Sequence, residues 1–312
     1  MRIEYHRTLL ADAPRNAAFK AALAEVIKPD ITIVADIGAG TGVLGFLAAK
    51  LGAKRVYLYE SAGVLEVAEQ IRRLNRIDNV ELIPIHSTEA IDPPRVDVIV
   101  SETLGNYPLE ENIIQTLKDA RRRFLKRDGV MIPARITQFV CPVTSPRFFS
   151  ELTTWDTLNL GLDFSPARAM SLNNIYVRRF EPADLLDAGR NAEDWDELDF
   201  AKAPSTSRKG RAQWRPGKRT AIYGLAAWWQ AELTAKISLS TSPLAAPTHW
   251  EQLYFPVHQP LEIAADETLT ADISSKSSID SGTTIAWSLA RCDTRGRVLA
   301  RQDMDLEKGY LP

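Results

Sequence analysis

One stretch of the chain carries acids placed to do chemistry: Ser101-Glu102-Thr103-Leu104-Gly105-Asn106-Tyr107-Pro108-Leu109-Glu110-Glu111, directly after the apolar run Val96-Asp97-Val98-Ile99-Val100. The run reads as a buried strand, so the loop leaves a strand end carrying a carboxylate near each of its own ends. Two carboxylates facing one pocket clamp a planar cation with paired N–H donors, and guanidinium is the best fit. A second constellation lies upstream. Residues 31–36 read as a strand, Ile37-Gly38-Ala39-Gly40-Thr41-Gly42 as a glycine-rich turn, and residues 43–51 as a helix. Glycines let the backbone turn tightly and approach a ligand. Residues 54–59 read as a second strand with Glu60 at its end, where an acid can take both ribose hydroxyls of an adenosine cofactor. Residues 79–86 read as a third strand, followed by Ser87-Thr88-Glu89 near the place of an adenine ring.

The elements that must position these residues alternate. Strands followed by helices over residues 64–77 and 112–126 imply an α/β, doubly wound parallel sheet with ligands at the carboxyl ends of its strands. Arg72, Arg73 and Arg76 on the first helix, and Arg121 to Arg123 with Lys126 and Arg127 after the second, read as solvated faces. A further helix is predicted over residues 16–27, with Pro14 suited to its first turn. Past residue 142 the pattern changes to short β-rich runs at 221–229, 233–239, 252–255, 269–273 and 284–289, which predicts an antiparallel barrel or sandwich. The basic stretch 208–219 around Trp214 reads as a solvated hairpin tip rather than an RNA contact.

Composition sets the bounds. A chain of 312 residues is long enough for two cores, and 45% hydrophobic with 25% charged residues is ordinary for a globular protein. A net charge of −2 argues against a general nucleic-acid binder and leaves room for a local acidic site. Two cysteines and four scattered histidines offer no metal-ligand spacing and no disulfide framework, which fits a reducing cytoplasm. The first residues show no signal-peptide core, and no apolar run approaches the ~20 residues of a membrane span.

Three motifs then carry a resemblance. Asp36 ahead of Gly38, Gly40 and Gly42 resembles the S-adenosyl-L-methionine motif of class I methyltransferases. Ser101-Glu102, Gly105 and Glu111 resemble the double-glutamate loop of the protein arginine N-methyltransferase family, and Glu111 rather than Glu110 fits that family's spacing. Ser240-Thr241-Ser242-Pro243 with Thr248-His249-Trp250 is similar to its threonine–histidine–tryptophan loop. The resemblance implies a Rossmann-like domain with an N-terminal helix over residues 1–132 and a β-barrel substrate domain over 133–312. It also implies a cis proline at Pro133, a helical dimerisation arm at about 146–179, and a homodimer. It assigns Glu102 and Glu111 to the guanidinium and pairs Asp12 with His249 across the junction. His6, Arg15, Asp36, Gly38, Gly40, Glu60 and Glu89 fall to the cofactor. The implied activity is methyl transfer from S-adenosyl-L-methionine to a guanidino nitrogen of an arginine-containing protein or peptide.

Thr103, Asn106 and the shifted Tyr107 depart from the family pattern, and the departures are expected on the substrate side. The family's additional N-terminal helix with paired aromatics has no counterpart before His6, where Tyr5 is the one aromatic, so a truncated lid or an open site is expected. Two other readings remain: a methyltransferase for free arginine or a small guanidine metabolite, and an inactive member serving as a dimeric scaffold.

Overall fold

The computed structural model describes residues 3–278 and 281–308. Two helices open it, α1 (Ile3–Ala11) and α2 (Ala13–Val26). α2 starts earlier than the apolar spacing predicts because Asp12 caps it: the Asp12 side chain accepts the Arg15 backbone N–H at 2.9 Å, and Pro14 sits in the first turn, where no N–H is needed. The alternating half follows as β1 (Ile33–Ile37), α3 (Val43–Lys50), β2 (Arg55–Tyr59), α4 (Leu65–Leu74), β3 (Val80–Ile83), β4 (Val96–Val100), α5 (Ile113–Arg123) and β5 (Leu125–Ile132). Its five strands are parallel in the order β3-β2-β1-β4-β5. The order reverses between β1 and β4, which opens a crevice at their carboxyl ends. Both the glycine turn after β1 and the acidic loop after β4 enter that crevice. β5 begins at Leu125, earlier than Val130 where the apolar pattern resumes, because the charged residues 126–128 lie on the free edge of the sheet.

The Ile132–Pro133 peptide is cis and leads into an antiparallel half. Its elements are β6 (Arg135–Val143), α6 (Arg147–Leu152), α7 (Ser165–Leu172), β7 (Tyr176–Arg178), β8 (Glu193–Asp199), β9 (Ser207–Trp214), β10 (Thr220–Glu232), β11 (Ser238–Ser240), β12 (Gln252–Ile263), β13 (Thr268–Ser278), β14 (Gly282–Cys292) and β15 (Val298–Asp305). One sheet runs β7-β12-β10-β6-β8, with β11 paired to β10, and the other β15-β14-β13-β9. The two share a core in which Trp229, Tyr254, Phe255 and Trp287 are fully or almost fully buried. The rings of Phe255 and Trp287 lie 5.3 Å apart across the sheets. The basic stretch 208–219 is not a hairpin tip: it runs to the end of β9, which pairs with β13, and through the link to β10 in the other sheet, and its exposed Lys209, Arg211 and Gln213 alternate with inward residues along β9. Trp214 is core, and Arg208 pairs with the buried Asp196. No described helix is long and apolar enough to cross a membrane.

Candidate active site

A cavity of about 320 Å³ opens at the carboxyl ends of β1, β2 and β4, roofed by α1 and the start of α2. Its floor is the glycine turn. Gly38 and Gly40 have φ of +73° and +56°, so an L side chain would be strained at either. Space is short as well: a Cβ on Gly38 would stand 2.6 Å from Thr103 Cγ2, and one on Gly40 3.1 Å from the His6 ring. The N–H groups of Gly38 and Ala39 donate to the Tyr59 carbonyl at 2.9 and 3.0 Å, which ties the turn to the end of β2. Glu60 follows that end. Its carboxylate accepts the N–H of Gly40 at 2.9 Å and of Ala62 at 2.7 Å, which fixes its direction.

His6, Arg15, Gly38, Gly40 and Glu60 all line this cavity, as the sequence reading expects. Asp36 does not. It is 1% exposed behind the turn, and its carboxylate accepts the Gly45 N–H at the start of α3 at 2.8 Å. Burial pushes its pKa up to about 7, against the pull of that N–H and of the Arg15 charge. Asp36 therefore braces the helix that follows the turn from behind the cavity wall. Glu89 is also displaced from its expected place: it is exposed on the short turn after β3, while His86 and Ser87 of the same segment reach the cavity.

Glu102 and Glu111 both line the cavity, from opposite ends of the acidic loop. Glu102 is buried and ion-paired with Arg15, whose Nε donates to it at 2.7 Å. Burial raises its pKa and the Arg15 charge opposes the rise. Glu111 is more open, with a pKa raised by burial and then by Glu60. Its backbone is left-handed at φ +55°, as is that of Asn112 at +56°. Glu110 does not line the cavity. It shares the acidic field, however, since the Tyr5 phenol on α1 is shifted up by burial and then by Glu102, Glu111 and Glu110.

Asp12 and His249 meet across the junction. One carboxylate oxygen of Asp12 accepts both the His249 backbone N–H at 2.8 Å and its Nδ1–H at 2.7 Å, while the other caps α2. An ionised carboxylate only accepts, so the Nδ1 nitrogen carries the hydrogen and Nε2 carries the lone pair. Burial lowers the His249 pKa, against the pull of Asp12. The pair lies behind the cavity wall, and His249 Nε2 is buried without a hydrogen-bond partner.

The departures in the acidic loop turn out to face the other half of the molecule. Asn106 accepts the Glu251 backbone N–H at 2.9 Å, and the Tyr107 hydroxyl meets Ser275 Oγ at 2.6 Å. Trp250 and Trp229 donate their indole N–H groups to the carbonyls of Leu104 and Gly105 at 2.7 and 3.1 Å. Ser277 and Thr283 both bind the Leu109 carbonyl at 3.2 Å. Asn106 and Tyr107 thus belong to the mounting of the loop, while Thr103 alone of the three lines the cavity. Sequence reasoning also missed Arg123. Far from being solvated, it pairs with Asp119 and donates to the carbonyls of Ser87 and Ala90 at 2.7 and 2.6 Å.

The cavity suits a nucleoside-bearing methyl donor. Two of its buried polar atoms, His6 Nε2 and Ser87 Oγ, have no hydrogen-bond partner in the protein, and the glycine floor is closed to side chains. A doubly wound parallel sheet with a glycine turn after β1, an acid at the end of β2 and a cavity at the carboxyl ends of its strands is the arrangement of a class I methyltransferase. The family model described as "Arginine methyltransferase oligomerization subdomain" matches residues 134–290, and that of "Ribosomal protein L11 methyltransferase (PrmA)" matches residues 20–138. Protein arginine N-methyltransferase 1 of Schizosaccharomyces pombe is 30% identical over 286 residues, covering 87% of this chain and 81% of that protein. Protein arginine N-methyltransferase 6 of Xenopus laevis is 27% identical over the same share of this chain and 83% of its own length. Among solved structures, the Trypanosoma brucei PRMT1 enzyme–prozyme heterotetrameric complex with AdoHcy superposes with a TM-score of 0.84 at 25% identity, covering 98% of both chains. The chain belongs to the protein arginine N-methyltransferase family. It is accordingly an enzyme that transfers methyl groups from S-adenosyl-L-methionine to arginine.

Proposed function

We propose that this enzyme methylates arginine side chains in proteins, with Glu102 and Glu111 holding the guanidinium. The observation that carries the reading is that both carboxylates line the same cavity as the glycine floor, His6 and Glu60. The donor supplies an electrophilic methyl group on a sulfonium. Glu60 would hold its ribose, His6, Arg15 and the Gly38–Gly40 backbone its amino-acid part, and Ser87 its base.

Guanidinium is a poor nucleophile because its lone pairs are delocalised and its pKa is above 12. Glu102 and Glu111 draw positive charge toward the nitrogens they bind and leave electron density on the third. Arg15 keeps the buried Glu102 oriented, so that acid enters the complex already fixed. Holding acceptor and donor in line contributes about 7–11 kcal/mol to such transfers. As the methyl passes from sulfur to nitrogen, the methylated nitrogen must lose a proton. Glu111, with a raised pKa and an open position, is the better acceptor of it, while Asp12–His249 chiefly fixes α2 against the β-rich half.

Glu102→Gln and Glu111→Gln should each abolish methyl transfer to an arginine peptide while affinity for S-adenosyl-L-methionine stays near parental. Parental rates in both variants would sink the clamp. Free arginine assayed beside the peptide, with product masses read, separates the small-guanidine reading from the protein reading; no methylation of either would favour the scaffold.

We also propose a homodimer formed through the arm. Leu160 and Leu162, between α6 and α7, are 66% and 69% exposed. An apolar groove lined by Leu10, Phe46, Leu47 and Ile71 stands on the Rossmann-like half to receive a second copy's arm. A cytoplasmic location fits the scattered cysteines and is tested by fractionation.

A further inference from the structure

A groove of about 630 Å³ lies outside the methyl-transfer site, along the free edge of β5 and down to the ends of β6, β8 and β10. β5 is the last strand of its sheet and, among the described residues, pairs with β4 alone, with its register broken between Leu125 and Val130; apart from the Leu125 carbonyl, which Arg95 takes, the outer backbone of this edge has no strand beside it. Six cations line the groove, Arg95, Arg121, Arg122, Lys126, Arg127 and Arg135, against two acids, Asp199 and Glu232. Lys126 and Arg122 are engaged by Asp97 and Asp119. Arg135 stands only 3.6 and 3.7 Å from Glu197 and Asp199, and its Nε is buried without a hydrogen-bond partner. Arg95 donates only to the carbonyls of Arg122 and Leu125. Arg121 and Arg127 have no ion pair among the described residues, and both are exposed.

Charge on an edge strand ordinarily protects it from pairing. Here the charge converges from three elements, since Arg95 precedes β4 and Arg121 and Arg122 end α5. Between the cations, Leu125, Val130 and Met131 give the groove an apolar floor. Among the described residues none of those lining it is aromatic, so they offer no stacking platform of the kind a single-stranded nucleic-acid site uses.

We propose that this groove binds an acidic segment of a partner protein in extended form, laid along β5 as an added strand. Backbone groups of β5 pair with the segment, its carboxylates meet Arg95, Arg121 and Arg127, and its alternate apolar side chains face the floor. The arginine-rich substrates that the active site invites would be repelled here, so the groove selects a different partner.

The test uses the full-length protein and fluorescence anisotropy. The probes are a labelled peptide alternating Glu and Val, its Lys/Val counterpart, the Glu/Val peptide with alternate backbone nitrogens methylated, and a labelled oligothymidylate. The Glu/Val peptide should bind and the Lys/Val peptide should not. The double variant Arg121→Glu/Arg127→Glu should weaken binding by about tenfold or more while arginine methylation continues at the parental rate. Methylation of the peptide backbone should likewise weaken it. Absence of Glu/Val binding, equal binding by the double variant, or equal binding of the backbone-methylated peptide overturns the proposal. Tighter binding of the oligothymidylate overturns it in favour of a phosphate-binding groove.

Discussion

Glu111 is held where an L residue other than Asn or Asp seldom sits, with φ at +55° and Asn112 following at +56°. Asn112 tolerates this conformation; a glutamate there stores strain of order 1–3 kcal/mol, which persists because the loop is pinned at Leu109 by Ser277 and Thr283. Glu111→Gly should therefore abolish methyl transfer without lowering the unfolding midpoint in urea, since relief of strain offsets the extra freedom of glycine in the unfolded chain. A clear drop in midpoint would show that the Glu111 side chain holds the loop. Asp36 gives a second expectation. Its folded pKa is raised to about 7 from an ordinary value of 3.8, so the stability it contributes is full below pH 3.8 and is lost as pH rises through 7. Asp36→Asn should keep the Gly45 N–H satisfied through its carbonyl oxygen. Thermal melts should then show the variant gaining on the parent between pH 5 and pH 8; a constant difference would place ionisation of Asp36 elsewhere. The contrast between these acids explains what the sequence could tell. Glu102 and Glu60 follow strand ends, where side chains reach the cavity, and their place is written in the pattern; Glu111 stands at the far end of the loop before α5, and only the resemblance to the family's spacing selected it over Glu110. Whether Asp36 faces the cavity or α3 depends on the Gly45 N–H, a backbone direction no residue type announces.

At the scale of elements, the acidic loop is a part of the Rossmann-like half held by the β-rich half. Trp229, Trp250, Ser275 and the Glu251 backbone all grip it, so Asn106 and Tyr107, where the loop departs from the family pattern, serve this mounting and do not line the cavity. The turn after β3 is held from the other side. Arg123 pairs with Asp119, lies against the Phe124 ring and donates to Ser87 and Ala90, so the end of α5 sets the position of the cavity's Ser87 wall. Arg123→Met should raise KM for S-adenosyl-L-methionine several-fold with kcat at saturation near parental, because the acid loop stays mounted. A fall in kcat alone, with KM unmoved, would contradict this role. The alternation of strand and helix that frames these elements was legible from apolar runs and glycine turns. The outer strands were not: β8 reads Glu193-Asp194-Trp195-Asp196-Glu197-Leu198-Asp199, and its inward Trp195, Asp196 and Leu198 form no apolar run. Arg123 was equally hidden, because one of three consecutive arginines turns inward and only the fold decides which.

For the whole molecule, the cavity at the glycine turn and the apolar groove beside it share residues. Thr41 and Val43 line both the donor cavity and the apolar groove proposed to receive a second copy's arm. An arm seated in that groove would press on the outer side of the glycine turn and on α1 through Leu10, which lines both as well. Assembly and donor binding would then be coupled, each stabilising the same arrangement of the turn. Burying a leucine fully is worth about 1.5–3 kcal/mol, so Leu160 and Leu162 on two arms provide enough apolar burial to decide whether copies stay together. Leu160→Asp/Leu162→Asp should give a monomer by light scattering while circular dichroism and the melting temperature stay near parental, since both side chains are exposed within one copy. In that monomer KM for S-adenosyl-L-methionine should rise, and the parental enzyme should lose specific activity on dilution in parallel with loss of the dimer. Full donor affinity in the monomeric variant would separate assembly from the site; a variant that remains dimeric would move the interface away from the arm.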